Sequence, residues 1–479
     1  MSFFSLETIR SVVGGRWLVE AADPDLEAGG VSIDTRDDLA GRLYIALSGA
    51  RHDGHQFLSQ AEAGGAVAAL VESGRVPDPT AGSLPLLAVE DTQQAMWALA
   101  AAWRSQLEAT VVAITGSAGK TTLRRMVQAI CETNGPTTAS RRSFNNHIGV
   151  PLSLLAADRS DRYLVLEIGT NAPGEIRALA ELARPDIGVI TSIGRAHLEG
   201  LGSLEGVAIE KGALLKVLPE RGTAILPADS AQAGLLESCV PKGVRTIGFG
   251  AVHGALRLSH RRSLSLTGEQ AIMLEGGLEL RSRHPGAHNA LNTCAAVCVS
   301  RSLDIPDEQA ASAICSLGPD SMRLSPLLLE GTGTMLLNDV YNSNPEAVAA
   351  ALETFGEIAA DAPRRMVILG DMLELGPDEN ALHAEVGRQV ARLDQQTPIE
   401  VAIFIGERSR HGADALVAEG FTGLVATLPG LDDVLADTVA AAIQPGDAVL
   451  LKASRGMAFE RIIEAARERG RKLPELASH

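Results

Sequence analysis

One stretch of the sequence has residue types and a spacing that could bind a phosphate. An apolar run at 111–115 is followed by Gly-Ser-Ala-Gly-Lys-Thr at 116–121 and then by a helix-like segment. Backbone N–H groups at the start of a helix point at a bound anion, and the helix dipole favours negative charge there. Lys120 can reach terminal phosphates, and the Thr121 hydroxyl can ligate Mg²⁺. The stretch predicts a nucleotide-binding loop, although the longer form of this motif has glycine where the chain has Ile114.

Three further side chains could take part in metal or acid–base chemistry. Glu167 ends the apolar run at 163–167, and the carboxyl end of a buried strand faces the ligand crevice in open α/β sheets. A carboxylate there could hold Mg²⁺, or it could point into solvent. His197 follows another apolar run, where a structural histidine is the more common outcome. Lys211 lies in a helical stretch, and its position alone indicates only a solvated surface lysine.

Two adjacent asparagines, Asn145 and Asn146, precede an apolar helix-like segment. Either could cap that helix or contact a phosphate, and the spacing alone favours capping. The spacing does not distinguish which of the two would belong to a site.

The elements that must position these residues follow a repeated α/β pattern. Residues 1–105 are predicted to form a small N-terminal α/β domain. Residues 106–318 alternate short apolar runs with helical patterns, which is typical of a parallel sheet with crossover helices. Residues 255–286 break this rhythm and are predicted to be antiparallel strands. The alternation resumes over 319–479, so we expect three α/β domains: the N-terminal one, a central phosphate-loop ATPase and a Rossmann-like C-terminal one.

The bulk composition argues against several classes of partner. A net charge of −17 disfavours DNA, RNA and anionic membranes, and 3% aromatic residues leave few rings for stacking on bases. The five cysteines are scattered and match no disulfide framework or zinc site. The N-terminus does not read as a signal peptide, and no apolar stretch reaches about 18 residues. We therefore expect a cytoplasmic enzyme without a membrane span or a nucleic-acid partner, and a monomer.

Beyond the loop, a series of motifs resembles the Mur ligase family. The central motifs are TGSAGKTT, NNHIGVPLSLL, EIGTNAPGEI, AHLEGLGSLEGVAIEKG and HNALN, and the C-terminal ones are NDVYNSNPEAV, ILGDMLELG and KASRGM. With the N-terminal motif SIDTRDDLAGRLYIALSGARHDGHQF, the resemblance spans nearly the whole chain in family order. The family's loop is the shorter T-G-x-x-G-K-T, so Ile114 fits it. A folylpolyglutamate-type ligase shares the loop, but YNSNP and GDMLELG do not suit that branch.

The resemblance implies an ATP-dependent amide ligase of peptidoglycan precursor synthesis. In the family, ATP phosphorylates a carboxylate, and an amine then attacks the acyl phosphate. The implied acid is a UDP-muramoyl tripeptide, and the implied amine is D-alanyl-D-alanine. The protein's share of such a reaction is positioning and neutralising charge on the transferring phosphoryl group. The alternatives are a family paralog that joins a different amine and acid, and an inactive nucleotide-binding homolog.

The family's catalytic residues match four positions of this chain. Lys120 matches the phosphate-binding lysine, and Glu167 matches a carboxylate ligand of Mg²⁺. His197 matches a histidine ligand of a second metal, and Lys211 matches a lysine that is carbamylated and so becomes carboxylate-like. With Thr121, these residues imply a site for two Mg²⁺ ions. An inactive homolog would have little reason to keep Lys120, Glu167, His197 and Lys211 together.

The resemblance also implies an ATP site that begins in the central domain. The implied phosphate loop comprises Gly116, Ser117, Ala118, Gly119, Lys120, Thr121 and Thr122. Asn292 matches a contact to adenine, with His288 and Asn289 nearby.

The C-terminal domain is expected to complete the ATP site. Arg323 matches an arginine that reaches ATP phosphate from the domain junction, although Met322 stands where the family usually has glycine. Asp339 matches a residue near the ribose. The motif YNSNP supplies further residues on the nucleotide side, namely Tyr341, Asn342 and Asn344.

The remaining matches concern the other two substrates. The uridine nucleotide is expected near Ser32, Asp34, Thr35, Arg36 and His55. Arg36 is a candidate contact to the diphosphate, and a turn with a local ion pair is the alternative. Asn145 and Asn146 fall where the family has asparagine near phosphate or substrate. The incoming dipeptide's carboxylate is expected at Lys452, Ser454 and Arg455, because the fork of an arginine suits a carboxylate.

The chain departs from the family at a few positions. Pro227 stands where asparagine is common, Thr170 where Met or Ala is frequent, and Ala172 where His is frequent. These departures leave room for a changed substrate, and the third peptide residue can be lysine or diaminopimelate. Because adenine, phosphate and dipeptide contacts come from different domains, we expect the domains to close on the substrates.

Overall fold

The computed structural model describes residues 3–49, 52–76, 78, 82–141, 143–195 and 198–476. Its strands are β1 (Arg16–Val19), β2 (Val31–Ser32), β3 (Leu43–Ile45), β4 (Ala68–Glu72), β5 (Leu86–Val89), β6 (Thr110–Thr115), β7 (Thr137–Ala139), β8 (Tyr163–Glu167), β9 (Ile187–Ile190), β10 (Thr223–Pro227), β11 (Arg245–Gly250), β12 (Leu256–Ser263), β13 (Gln270–Leu274), β14 (Glu279–Ser282), β15 (Ser325–Leu328), β16 (Met335–Asp339), β17 (Arg364–Gly370), β18 (Val401–Ile405), β19 (Leu424–Leu428) and β20 (Asp447–Lys452).

The helices are α1 (Leu6–Val13), α2 (Leu58–Ala63), α3 (Thr92–Arg104), α4 (Lys120–Glu132), α5 (Gly149–Leu155), α6 (Glu175–Ala183), α7 (Leu198–Leu201), α8 (Leu204–Gly212), α9 (Ala233–Ser238), α10 (Ala287–Ser302), α11 (Asp307–Ser316), α12 (Pro345–Ile358), α13 (Glu379–Gln396), α14 (Arg410–Ala418), α15 (Asp433–Ala441) and α16 (Glu460–Leu476). Short 3-10 helices lie at Gly54–Phe57, Leu215–Val217, Gly376–Asp378 and Arg455–Met457.

The N-terminal sheet has the order β1-β5-β4-β3-β2, with β1 antiparallel and the rest parallel. Helix α3 follows it, and Asp91 caps its N-terminus by accepting the N–H groups of Gln93 and Gln94. The α3 residue Trp103 is buried against the rings of Phe3 and Phe4, and its indole N–H donates to the carbonyl of Ala157 at 2.9 Å. Helix α3 thereby joins the N-terminal domain to the central one.

The central sheet has the order β14-β13-β12-β11-β10-β9-β6-β8-β7. Its strands from β7 to β12 are parallel, and β12, β13 and β14 are antiparallel, as the sequence predicts for 255–286. β6 lies between β8 and β9, which the chain adds on opposite sides of it. The carboxyl ends of β6, β8 and β9 therefore border a crevice of the kind in which open α/β sheets bind ligands.

The C-terminal sheet has the order β15-β16-β20-β17-β18-β19, and β15 is its antiparallel edge. β16, β20 and β17 are neighbours, with Asp339 directly opposite Lys452 in the register and Lys452 opposite Leu369. The carboxyl ends of these three strands border the cavities that the C-terminal domain shares with the central one.

Three α/β domains with one sheet each confirm the predicted fold class. Helix α3 ends at Arg104 and α11 at Ser316, close to the predicted boundaries 1–105, 106–318 and 319–479, which remain predictions. Within the described ranges, no helix is both long enough and apolar enough to cross a membrane.

Candidate active site

The phosphate loop connects β6 to α4 with the backbone turned toward the crevice. Gly116 has φ +152°, and a Cβ there would lie 1.8 Å from the hydroxyl oxygen of Thr191. Gly119 has φ +81°, and a Cβ there would lie 2.7 Å from the side-chain oxygen of Asn292. Both glycines are needed for the turn and for its close approach to neighbours. The Lys120 ammonium folds back over the loop and donates to the Gly116 carbonyl at 2.6 Å.

Two oxygens beside the loop fit a hard cation such as Mg²⁺. The Thr121 hydroxyl oxygen and the Glu167 Oε2 are both buried and have no hydrogen-bond partner. β6 and β8 place Glu167 opposite Ile114, which stands two residues before the loop. Buried oxygens without partners are rare, and oxygen is the ligand type that Mg²⁺ prefers. Among the described residues no three His, Cys, Asp or Glu side chains cluster around a possible cation, so the ligand set must include other groups.

Lys211 is buried rather than solvated. Its side chain in α8 is 1% exposed. Burial lowers the pKa of Lys211 far below its ordinary range, and the charge of Lys120 lowers it further, while Glu210 opposes the shift. Burial therefore favours the neutral amine over the charged ammonium. His197, predicted as the other partner of this site, lies outside the described residues.

The two adjacent asparagines have different contacts. The Asn145 side-chain amide donates to Glu167 Oε1 at 2.8 Å. Asn146 Oδ1 accepts the backbone N–H groups of Ile148 and Gly149, at 3.1 and 2.9 Å, where α5 begins. Asn145 is therefore tied to the carboxylate beside the phosphate loop, and Asn146 caps a helix.

A cavity of about 250 Å³ opens in front of the loop. From the central domain it is lined by the loop, Glu167, Asn145, Asn146 and the segment 169–171 with Glu175. From the C-terminal domain it is lined by Arg323, residues 341–344 and residues 373–375. The cavity thus brings the predicted phosphate, metal and domain-junction residues together.

A second cavity, of about 280 Å³, lies on the other side of the phosphate loop. It is lined by polar residues that the sequence predicts for nucleotide binding, namely His288, Asn289, Asn292, Arg323, Asp339, Tyr341, Asn342 and Asn344. Burial lowers the pKa of His288 to about 4, so its imidazole is neutral at physiological pH. A neutral ring with two amide side chains nearby suits an uncharged nucleobase.

Arg323 lies where the two cavities meet. Its guanidinium stacks 4.1 Å from the centroid of the Tyr341 ring. Its neighbours Met322 and Leu324 have φ +64° and +44°, in the left-handed region that favours glycine. The backbone strain at Met322 gives a physical reason why glycine is the common residue before this arginine.

The three residues predicted for the dipeptide have other contacts in this structure. The Lys452 ammonium is 1% exposed and donates to Asp339 at 2.5 Å and to the Asn342 carbonyl at 3.0 Å. Ser454 is buried, and its hydroxyl accepts the N–H of Leu373 at 3.0 Å. Arg455 is more than half exposed and pairs with Glu460. Their binding of the dipeptide stays a prediction.

A third cavity, of about 700 Å³, lies between the N-terminal and central domains. Ser32, Asp34 and Arg36 line it, as do Arg42 and Arg141. Arg36 also forms the local ion pair with Asp34, at 2.5 Å, and its side chain is 88% exposed. His55, by contrast, is buried against Asp53 and the Glu72 N–H, where it supports the turn of its domain.

Comparisons with known proteins match all three domains that line these cavities. Sequence profiles match residues 27–104 (Mur ligase family, catalytic domain), 114–300 (Mur ligase middle domain) and 322–455 (Mur ligase, glutamate ligase domain). The UDP-N-acetylmuramoyl-tripeptide–D-alanyl-D-alanine ligase of Escherichia coli K12 is 33% identical, over 97% of this chain and 99% of its own. The chain belongs to the Mur ligase family. The Bacillus subtilis ligase of the same name is 35% identical to this Mur ligase, over 91% and 92% of the two chains.

Solved structures agree with this Mur ligase over nearly its full length. MurF from Acinetobacter baumannii superposes with a TM-score of 0.83 at 26% identity, covering 97% of this chain and 99% of its own. MurF from Thermotoga maritima, solved in complex with ADP, superposes with a TM-score of 0.77 at 25% identity, covering 92% and 98%. The family and the three-domain fold predicted from the sequence are thereby confirmed.

Sequence reasoning missed two residues that support the site. Glu210 accepts the N–H groups of Gly174 and Ile176 at 2.7 and 2.9 Å, and so fixes the loop that follows Glu167. Arg195 reaches two carboxylates of the C-terminal domain. Nothing in the sequence marks either residue except its position. Glu210 comes one residue before Lys211, and Arg195 comes two residues before His197. Their partners are distant in sequence, so only the fold reveals them.

Proposed function

We propose that this Mur ligase joins D-alanyl-D-alanine to the terminal carboxylate of UDP-N-acetylmuramoyl-tripeptide, with ATP as the energy source. The proposal rests on one observation above all: the phosphate loop, Glu167 and Arg323 line one cavity in a chain that matches such ligases over 97% of its length. The reaction makes a peptidoglycan precursor, and the enzyme is an ADP-forming amide ligase.

The reaction has two displacements. A carboxylate oxygen of the tripeptide attacks the γ-phosphorus of ATP and ADP leaves, which gives an acyl phosphate. The amine of the dipeptide then attacks the acyl carbon, loses a proton, and phosphate leaves. Bound Mg²⁺ would neutralise charge on the phosphoryl oxygens during this transfer. The chain's own part is to hold the reacting groups in line and exclude water between the domains.

The three cavities together suit the three substrates. Lys120 and the N–H groups of the loop suit the ATP phosphates, with Thr121 and Glu167 as Mg²⁺ ligands. The cavity with His288 and Asn292 suits the adenine. The 700 Å³ cavity, with its arginines, suits the UDP part of the tripeptide substrate. We assign the dipeptide to the C-terminal side of the central cavity, with Arg455 as a candidate for its carboxylate.

We extend the proposal to a carbamylated Lys211. A neutral lysine nitrogen attacks the carbon of CO₂, an N–C bond forms and the nitrogen loses a proton. The product is a carbamate that carries a negative charge and two oxygens. Two observations support the carbamate. Lys211 is buried and its pKa is lowered, and the carboxylates described at the neighbouring site are too few to hold two cations. Such a group would supply an oxygen ligand for a second Mg²⁺ ion, together with His197.

The reaction's setting follows from its substrates. ATP and UDP-linked precursors are cytoplasmic metabolites, so we place the enzyme in the cytoplasm. One chain carries all three cavities, and we propose that it acts as a monomer.

The test is release of phosphate from ATP with purified substrates. Release should require both UDP-muramoyl tripeptide and D-alanyl-D-alanine, and mass spectrometry should find the joined product. Tripeptides ending in lysine and in diaminopimelate should be compared in parallel with several dipeptides. Phosphate release that ignores both substrates would overturn the proposal.

A further inference from the structure

A short segment after β9 is bound tightly to the phosphate loop. The Ser117 N–H donates to the Ser192 carbonyl at 2.9 Å, and the Ala118 N–H donates to the Ser192 hydroxyl at 3.0 Å. The Gly194 N–H donates to the Ser117 hydroxyl, also at 2.9 Å. These hydrogen bonds hold residues 191–195 against the phosphate loop, so the segment and the loop should move together.

At the end of this segment, Arg195 reaches across to the C-terminal domain. Its Nε donates to Glu346 at 2.6 Å, and its two terminal nitrogens donate to the two oxygens of Glu385 at 3.2 Å each. All three side chains are about one-third exposed. A guanidinium fork that meets two carboxylates fixes an orientation as well as a distance, which a lysine could not do.

The two carboxylates belong to helices whose preceding loops line the central cavity. Glu346 lies in the first turn of α12, directly after the cavity residues 341–344. Glu385 lies on α13, which follows the cavity residues 373–375 through a 3-10 turn. Arg195 is therefore joined to the phosphate loop on one side and to both cavity-lining loops of the C-terminal domain on the other.

We propose that Arg195 is a positioning residue that sets the C-terminal domain over the phosphate loop. Arg195 lines the central cavity, but its Nε and both terminal nitrogens are engaged by carboxylates, so it acts through Glu346 and Glu385 rather than on a substrate. The inference rests on the proposed function, because it concerns the alignment of the acyl phosphate with the incoming amine. A misalignment of about 1 Å can cost about 10²-fold in rate, so loss of the contact should appear mainly in kcat.

The test is a double-mutant cycle on ligation kinetics with Arg195→Gln, Glu385→Gln and both together. Each single variant should lower kcat about tenfold and leave the KM for UDP-muramoyl tripeptide unchanged, because that substrate's cavity lies at the other domain junction. The double variant should be no slower than the slower single variant. Arg195→Lys, which keeps the charge but lacks the fork, should recover only part of the rate. Arg177→Gln, which breaks an exposed ion pair with Glu181 within α6, is the matched control and should not change kcat.

Two outcomes would overturn the inference while leaving the proposed function intact. One is that all variants ligate at the wild-type rate. The other is that Arg195→Gln raises the KM of one substrate while Glu385→Gln has no effect, which would make Arg195 a direct ligand.

A second readout separates failure of the inference from failure of the proposed function. Fluorescence energy transfer between dyes at Val252→Cys and Val417→Cys, with Cys315→Ser, reports the spacing of the two domains without any turnover. Both labelled positions are more than half exposed. Arg195→Gln should broaden the distance distribution, and so should high salt in the wild type. Unchanged distance distributions in Arg195→Gln would overturn the inference. This holds even if the wild type proves to ligate other substrates, because the measurement needs no turnover.

Discussion

Lys452 and Asp339 form a buried ion pair between the ends of two neighbouring strands. The ammonium lies 2.5 Å from the carboxylate and also donates to the Asn342 carbonyl. The pair thus joins β20, β16 and the loop 341–344 that lines both cavities. Its position explains why a lysine that looks available for a substrate carboxylate is engaged within the domain.

We predict that Lys452→Met destabilises the C-terminal domain by about 3–5 kcal/mol, because it leaves a buried carboxylate without its partner. Urea unfolding followed by circular dichroism measures this effect. The double variant Lys452→Met with Asp339→Leu should be less destabilised than Lys452→Met alone. Arg461→Met, which breaks an exposed ion pair with Asp433, is the control and should leave the midpoint in place. A single variant as stable as wild type would contradict this account.

Lys120→Ala should abolish turnover and leave the fold intact. The loss should be at least about 10²–10³-fold in kcat, since a preorganised charge at the transferring phosphoryl group disappears. Coupled phosphate-release assays measure the rate, and circular dichroism checks the fold. Lys216→Ala removes an exposed lysine on the same domain and should keep full activity. Full activity in Lys120→Ala would refute the assignment of the phosphate loop.

Lys211→Met should abolish activity and, in CO₂-free buffer, raise stability. The folded-state pKa of Lys211 is lowered, so between that pKa and the unfolded pKa the unfolded chain binds a proton that the folded chain releases. Wild-type stability should therefore rise with pH toward the unfolded pKa of about 10.4, and the variant should lack this contribution to the slope. Denaturant midpoints at several pH values measure the difference. If stability depends on pH with the same slope in the two proteins, burial does not lower the pKa of Lys211.

The carbamate itself needs a separate experiment. Wild-type activity should fall in CO₂-depleted buffer and return with bicarbonate. Lys211→Ala should lose activity and regain part of it with short carboxylic acids, whose carboxylate fits the space of the carbamate. A Lys211→Ala enzyme that stays fully active would end the carbamate hypothesis.

His284 should make the fold sensitive to acid. It is 2% exposed, its Nε2 is buried without a partner, and burial lowers its pKa to about 4. The unfolded pKa is about 6.5, so stability is lost as pH falls from about 6.5 to 4, by up to about 3 kcal/mol. His284→Gln should flatten this part of the pH–stability curve, measured by urea midpoints. His411→Gln, at an exposed histidine, should leave the curve unchanged, and equal curves for wild type and His284→Gln would contradict the prediction.

The sequence could predict those parts of the site that depend on local order. The phosphate loop and Glu167 follow from short apolar runs that end in polar residues, because parallel strands bring their carboxyl ends to one edge. Contacts across the fold could not be predicted in this way. Arg195 and Glu385 are 190 residues apart, and Lys452 and Asp339 are 113 apart, with no local pattern that pairs them. The burial of Lys211 likewise results from tertiary packing. Its position in a helical stretch indicates a solvated surface lysine instead.

The two asparagines give the sharpest comparison, since they are adjacent and alike but differ in their contacts. Asn145→Ala removes the hydrogen bond to Glu167, so it should lower kcat and weaken the binding of Mg²⁺, with little change in stability. Asn146→Ala removes the cap of α5, so it should cost about 1 kcal/mol of stability. Asn146→Asp keeps a capping oxygen and should restore that stability, whereas Asn145→Asp places a second carboxylate beside Glu167 and should not restore kcat. Mg²⁺ titrations of the rate and thermal unfolding of all four variants measure both effects. Equal losses of stability at the two positions would contradict this division of roles.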